Sequence, residues 1–268
     1  MTGHSGKANA EGMVSLILRD AGRLFARVWS RAVIVCFVMV FSLLAIGGVL
    51  QLFGVPIFEV QPEPGWRFDI FLFNWLGWLL NYLAYMVLVG KMLAGNSRAG
   101  KIPNGLMVRA GVPVFMLMAM PSAFVSTWMP DGDLTREYII MMVPQSLFDV
   151  SLSVIALFWF LRRLARRADG LASPDWREMP TRVSLTLVIL LAGFLIGSEL
   201  LYTALGSIEW QVMTGSDDLS AIMGLVALIG AIVALYLNVI VTPSLIAAWY
   251  RNLPSVKASS SGIKEIFA

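Results

Sequence analysis

Apolar residues in this chain first recur at helical spacing and then merge into six long runs. Within 12–30, Val14, Ile17, Leu18, Ala21, Leu24, Phe25 and Val28 fall three and four positions apart, which marks one face of a helix. Arg19, Arg23 and Arg27 recur every four residues on another face, and Arg31 continues the series. Trp29 closes the stretch, so the pattern predicts a basic amphipathic helix lying in the headgroup layer of a membrane. The six apolar runs lie near 32–53, 70–93, 106–129, 138–161, 183–205 and 219–250. Each matches or exceeds the roughly 20 residues that cross the hydrocarbon of a bilayer. The sixth is long enough that it must tilt, bend or emerge. Pro243 near its end and Pro144 near the start of the fourth are expected kinks, because proline lacks the helical N–H. The expectation is an all-α polytopic membrane protein of six transmembrane helices plus an N-terminal amphipathic interfacial helix. Residues 1–11 form a polar tail, 12–30 the amphipathic helix, 31–253 the bundle and 254–268 a second tail.

Composition agrees with a membrane protein. The chain is 58% hydrophobic and 14% charged, against about 45–50% and about 25% in soluble domains. The first apolar run begins too far in for a cleavable signal peptide, so it is expected to stay in the membrane. One cysteine, Cys36, sits inside an apolar run and reads as a small packing residue. The single histidine, His4, lies in the polar tail, which argues against a zinc site in the bundle. No metal or cofactor is expected.

Charge orients the bundle. Of the 20 Lys and Arg residues, all but Arg67 and Arg136 fall on the side of the N-terminus. Arg162, Arg163, Arg166 and Arg167 end the fourth run in one cluster. Glu59, Glu63, Asp69, Asp131, Asp133, Glu137, Glu209, Asp217 and Asp218 occupy the opposite side. By the positive-inside rule both termini are expected in the cytoplasm. The net charge of +3 hides this dipole, and a basic inner rim reads as contact with anionic lipid headgroups rather than nucleic acid. Aromatic residues at the outer loops (Phe58, Trp66, Phe68, Trp128, Tyr138, Trp210) and inner edges (Trp29, Trp159, Trp249, Tyr250) are expected to form interfacial belts.

Candidate chemistry is sparse. Asp149 falls near the middle of the fourth run, where an ionised acid costs about 2.5–3.5 kcal/mol to insert. It must face the bundle interior, be protonated or hold a cation. Glu199 lies about 9 Å from the outer end of the fifth run. Two readings stay open. One makes these acids a proton- or cation-bearing pair on a transport path. The other makes them neutral acids bonded to Asn74, Asn81, Gln145, Ser151, Ser153 or Asn238, as ordinary interhelical glue. Gly193 and Gly197 form a GxxxG pattern that suggests close helix packing within the chain. No H-E-x-x-H, G-x-S-x-G or Walker-type loop occurs, so enzymatic activity is not expected.

Two stretches carry a resemblance. They are Ile17-Leu18-Arg19-Asp20-Ala21-Gly22-Arg23-Leu24-Phe25 and Pro243-Ser244-Leu245-Ile246-Ala247-Ala248-Trp249-Tyr250-Arg251-Asn252-Leu253. Both, with the six-span layout, resemble a poorly characterised family of bacterial six-helix membrane proteins. That family includes the membrane domain attached to some glycerophosphodiester phosphodiesterases. The resemblance implies a bacterial inner-membrane protein and transfers no catalytic residue. The leading functional expectation is a non-enzymatic membrane protein that supports the envelope by binding lipid or a membrane-protein partner. A proton-coupled or cation transporter using the intramembrane acids is the alternative, and an intramembrane lipid-modifying enzyme is the third.

Overall fold

A computed structural model describes residues 3–53, 68–94, 102–127, 136–167, 171–213 and 218–257. Six long helices make up the fold: α1 (Gly3–Leu52), α2 (Phe68–Ala94), α3 (Asn104–Thr127), α4 (Arg136–Ala165), α5 (Thr181–Met213) and α6 (Asp218–Arg251). A single 3-10 turn (Trp176–Glu178) precedes α5, opened where Asp175 Oδ1 accepts from the Arg177 N–H at 3.0 Å. No strand occurs among the described residues. All six helices contain a segment long and apolar enough to cross a membrane.

Helices α1 to α5 pack in sequence order, and α1 also meets α5, which closes them into a ring. Helix α6 fills that ring against α1, α2 and α5 and reaches α4. Its terminal half is covered on every side: every residue from Thr242 to Tyr250 is buried. A helix that is apolar all round is a core element, and the run Leu245–Ala248 fits that description.

The lead-in and the first span are one helix. α1 runs unbroken for 50 residues, about 75 Å at the helical rise and far more than a bilayer requires. Its apolar stripe does not face lipid as the pattern suggested. Ile17, Ala21, Leu24, Val28 and Ala32 are buried in the protein core. The reason lies in α6, whose all-apolar inner end needs cover that α1 supplies. Asn252 Nδ2 donates to Asp20 Oδ2 at 3.0 Å, and Tyr236 Oη donates to the Trp29 carbonyl at 2.9 Å. The same end is tied by Tyr250 Oη to the Ala172 carbonyl (2.7 Å) and by the Ser255 N–H to Glu178 Oε2 (2.8 Å).

Two further expectations change. Trp249 and Tyr250 are core residues, each 3% exposed, not members of an inner belt. Trp249 meets Phe158 edge-on at 5.2 Å. Trp29 and Trp159 do face outward, as does Phe68. The remaining outer aromatics (Phe58, Trp66, Trp128, Tyr138 and Trp210) lie outside the described side chains. The GxxxG face is also open: a Cβ on Gly193 or Gly197 would meet nothing within 4 Å. Close approach occurs between α2 and α3 instead. A Cβ on Gly90 would strike the Met107 sulfur, and one on Gly111 would strike the Met86 sulfur. Pro144 and Pro243 lie inside α4 and α6, which continue through them.

Candidate functional site

Asp149 is held in α4, 5% exposed, in the interior of the bundle. The α-helical period sets what stands above and below it. Gln145, Asp149 and Ser153 recur at every fourth residue and so share one face of α4. Helix α2 answers with Asn74, Trp78 and Tyr82 at the same interval, followed by Tyr85. Helix α3 contributes Ser122 and Ser126, also four apart.

These rows meet as stacked tiers. Nearest the end opposite the termini, Asn74 Nδ2 donates to Thr127 Oγ1 at 3.4 Å, and Thr127 Oγ1 donates to the Ala123 carbonyl at 2.7 Å. One turn further in, Ser126 Oγ accepts from Trp78 Nε1 and from Gln145 Nε2, both at 3.2 Å. In the next tier the Tyr82 hydroxyl is flanked by Ser122 and Ser153 and lies near Asp149. The Tyr85 hydroxyl also lies near Asp149, accepts from Asn81 Nδ2 at 3.2 Å and stands beside Thr242 of α6. Two titratable groups near Asp149 are thus Tyr82 and Tyr85.

Several of these buried atoms are unsatisfied. Tyr82 Oη, Ser122 Oγ and Thr242 Oγ1 fall short of hydrogen-bond geometry although each has a hydroxyl neighbour, Ser122 and Ser153 beside Tyr82 and Thr242 beside Tyr85, and their residues are 0% exposed. Gln145 Oε1 has no hydrogen-bond partner. An unmet buried polar group costs about 1–3 kcal/mol, so the hydroxyls are held to one another by small rotations, while Gln145 Oε1 suits a donor such as water.

Toward the terminal end the polar rows stop. On α4 the face of Ser153 continues as Leu157, Phe160 and Leu164, all 0% exposed. On α2 it continues as Leu88 and Met92, also 0% exposed. Tyr82 stacks on Phe115 with ring centres 5.5 Å apart and planes at 9°, and Phe115 meets Phe160 at 5.6 Å.

The sequence-derived candidates divide clearly. Asn74, Asn81, Gln145, Asp149 and Ser153 gather along this path. Ser151 does not: it is exposed and donates to the Leu147 carbonyl of its own helix at 2.7 Å. Asn238 is half-buried on α6, and its Oδ1 lacks a hydrogen-bond partner. The Glu199 side chain lies outside the described residues, so its pairing with Asp149 is not observed. Tyr82, Tyr85, Ser122, Ser126 and Thr242 are not among the sequence-derived candidates; the four-residue interval of polar positions marks Tyr82, Ser122 and Ser126, and no comparable spacing marks Tyr85 or Thr242.

The arginines sit at the rim. Arg19, Arg23, Arg27, Arg31, Arg162, Arg166 and Arg167 are exposed, and Arg163 is half-buried. Arg23 pairs with Asp20 at 3.5 Å. The described residues hold no cluster of three or more His, Cys, Asp or Glu side chains suited to a metal.

Fold and site together define a multi-pass helical membrane protein with a carboxyl embedded among hydroxyls. Comparison of the chain with protein-family models, curated proteins and solved structures returned no match.

Proposed function

We propose that this protein carries a proton or small monovalent cation through the membrane by way of Asp149. The supporting observation is the burial of Asp149 inside the bundle with a group of hydroxyls from α2, α3 and α6 around it and an amide oxygen, Gln145 Oε1, that has no hydrogen-bond partner one turn away. An acid inside a membrane bundle is costly to keep, and a site that loads and unloads a cation uses the hydroxyls around it as transient partners. A single carboxylate in a low-dielectric interior is neutralised by one positive charge and no more, which favours a monovalent species. The reading is non-enzymatic. It places the protein in a bacterial inner membrane with both termini cytoplasmic, following the lopsided distribution of Lys and Arg.

The test is flux in proteoliposomes under an imposed pH or cation gradient. The wild-type chain is expected to dissipate the gradient, with Asp149→Asn slowing it at least tenfold while the purified protein stays monodisperse. Equal rates for wild type and Asp149→Asn would overturn the proposal.

A second reading concerns the rim. The exposed row Arg19, Arg27 and Arg31 supports contact with anionic lipid headgroups, consistent with a role in supporting the envelope. Binding to vesicles with and without anionic lipid, compared for wild type and a triple Arg→Gln variant, tests it.

A further inference from the structure

We propose that the species reaching Asp149 is a proton, relayed through water along the polar tiers from the membrane face opposite the termini, and that the Tyr82–Phe115–Phe160 stack seals the other side. This deepens the carrier reading and rests on it.

The geometry of the tiers carries the argument. Residues four apart on a helix are separated by about 6 Å along the axis. Two O–H···O hydrogen bonds in series span about 5.5 Å, the length that one bridging water adds between Ser126 and the Ser122–Tyr82–Asp149 tier four residues further in. Groups able to bind such a water line this interval: Gln145 Oε1, which has no hydrogen-bond partner, and the Ser122 and Tyr82 hydroxyls, which lie side by side short of hydrogen-bond geometry.

The chemistry of the middle tier decides between a proton and a bare cation. Ser126 Oγ already accepts two N–H bonds, from Trp78 and Gln145. A hydroxyl has two acceptor lone pairs, so this oxygen has none left for a cation. A cation would instead face N–H dipoles of the wrong sign. The Ser126 O–H is still able to donate, which suits a water and the proton passed along it.

Access is one-sided because the rows change character. Above Asp149 the shared face carries Gln145, Ser126 and Trp78. Below it the face carries Leu157, Phe160, Leu88 and Met92, all fully buried. Tyr82 stands at the boundary, with its hydroxyl among the polar groups and its ring stacked on Phe115. A proton can leave toward the terminal side only if that stack parts.

Two measurements on the full chain test this. The first is radiolytic hydroxyl-radical footprinting of the wild-type protein in bilayers, with water as the probe. Tyr82 is expected to be modified while Phe115 and Phe160 are protected. Protection of Tyr82 and Trp78 together would mean a dry path and would overturn the proposal. The second uses single cysteines in a Cys36→Ala background and vesicles oriented by a terminal tag. Ser126→Cys is expected to react with an impermeant methanethiosulfonate at least tenfold faster from the face opposite the tag. Equal or reversed sidedness would overturn the direction of access. The outcomes also separate this proposal from the one beneath it. Labelling as expected without any flux leaves the water path standing and removes the carrier reading. Flux that depends on Asp149 with a dry, unlabelled path removes only this route.

Discussion

Asp149 and Ser151 sit two residues apart on one helix, yet one points into the bundle and the other out of it. Their difference is purely one of register: 200° of helical rotation separates adjacent-but-one positions at 3.6 residues per turn. Tyr82 extends the point. Its hydroxyl is buried without a hydrogen bond, so removing it should cost little stability; Tyr82→Phe is expected to change unfolding free energy by less than about 1 kcal/mol. Under the relay reading the same variant slows proton flux several-fold. A large loss of stability with unchanged flux, measured by thermal unfolding and proteoliposome assay, would instead assign the hydroxyl a packing role. The acid and the amides were legible from residue type alone, since few polar groups enter a membrane span without reason. The hydroxyls were not. Serine, threonine and tyrosine are common in spans, and only the register of α2, α3 and α4 against one another gives them a shared address.

At the level of single helices, α1 shows what periodicity can and cannot say. The three-and-four spacing of Ile17, Ala21, Leu24 and Val28 correctly implied a helix with one apolar face. It could not say whether lipid or protein covers that face, because both are satisfied by the same stripe. Leu24→Ala should therefore behave as a core truncation, costing about 2–5 kcal/mol, where a lipid-facing leucine would cost far less. Thermal unfolding in detergent distinguishes the two. The glycines of α5 make the opposite case. Gly193 and Gly197 look like a packing motif, but both have open space at Cβ. Replacing each by Ala should be neutral or stabilising by up to about 1 kcal/mol, the helical penalty of glycine. Gly111→Val, by contrast, should destabilise, since the Phe115 ring as well as the Met86 sulfur lies in the way.

At the level of the molecule, six apolar runs were enough to forecast six helices; the bounds of α2, α3, α4 and α6 fall within a few residues of the expected ones, while α1 begins at Gly3 and α5 runs on to Met213. Reporter tags at the two ends of the chain are expected on one face of the membrane, and tags inserted in 54–67 or 128–135 on the other. Tags at the two ends reading opposite faces would break the six-span layout. The sequence did not reveal which helix the others surround. The fourth run, with its acid and its arginines, drew attention, while the buried helix is α6. Mean hydropathy cannot separate a span that touches lipid from one enclosed by protein, because both surroundings are equally apolar.

The bond between Asp20 and Asn252 has a consequence for how the chain is made. A ribosome releases Asp20 early and Asn252 more than two hundred residues later. Through that interval the stripe from Ile17 to Ala32 lacks the cover that α6 supplies, with α2 and later α5 the other helices that pack on α1. Biogenesis therefore has a late commitment point: a nascent chain halted before α6 leaves part of that stripe uncovered, whatever the state of its first five crossings.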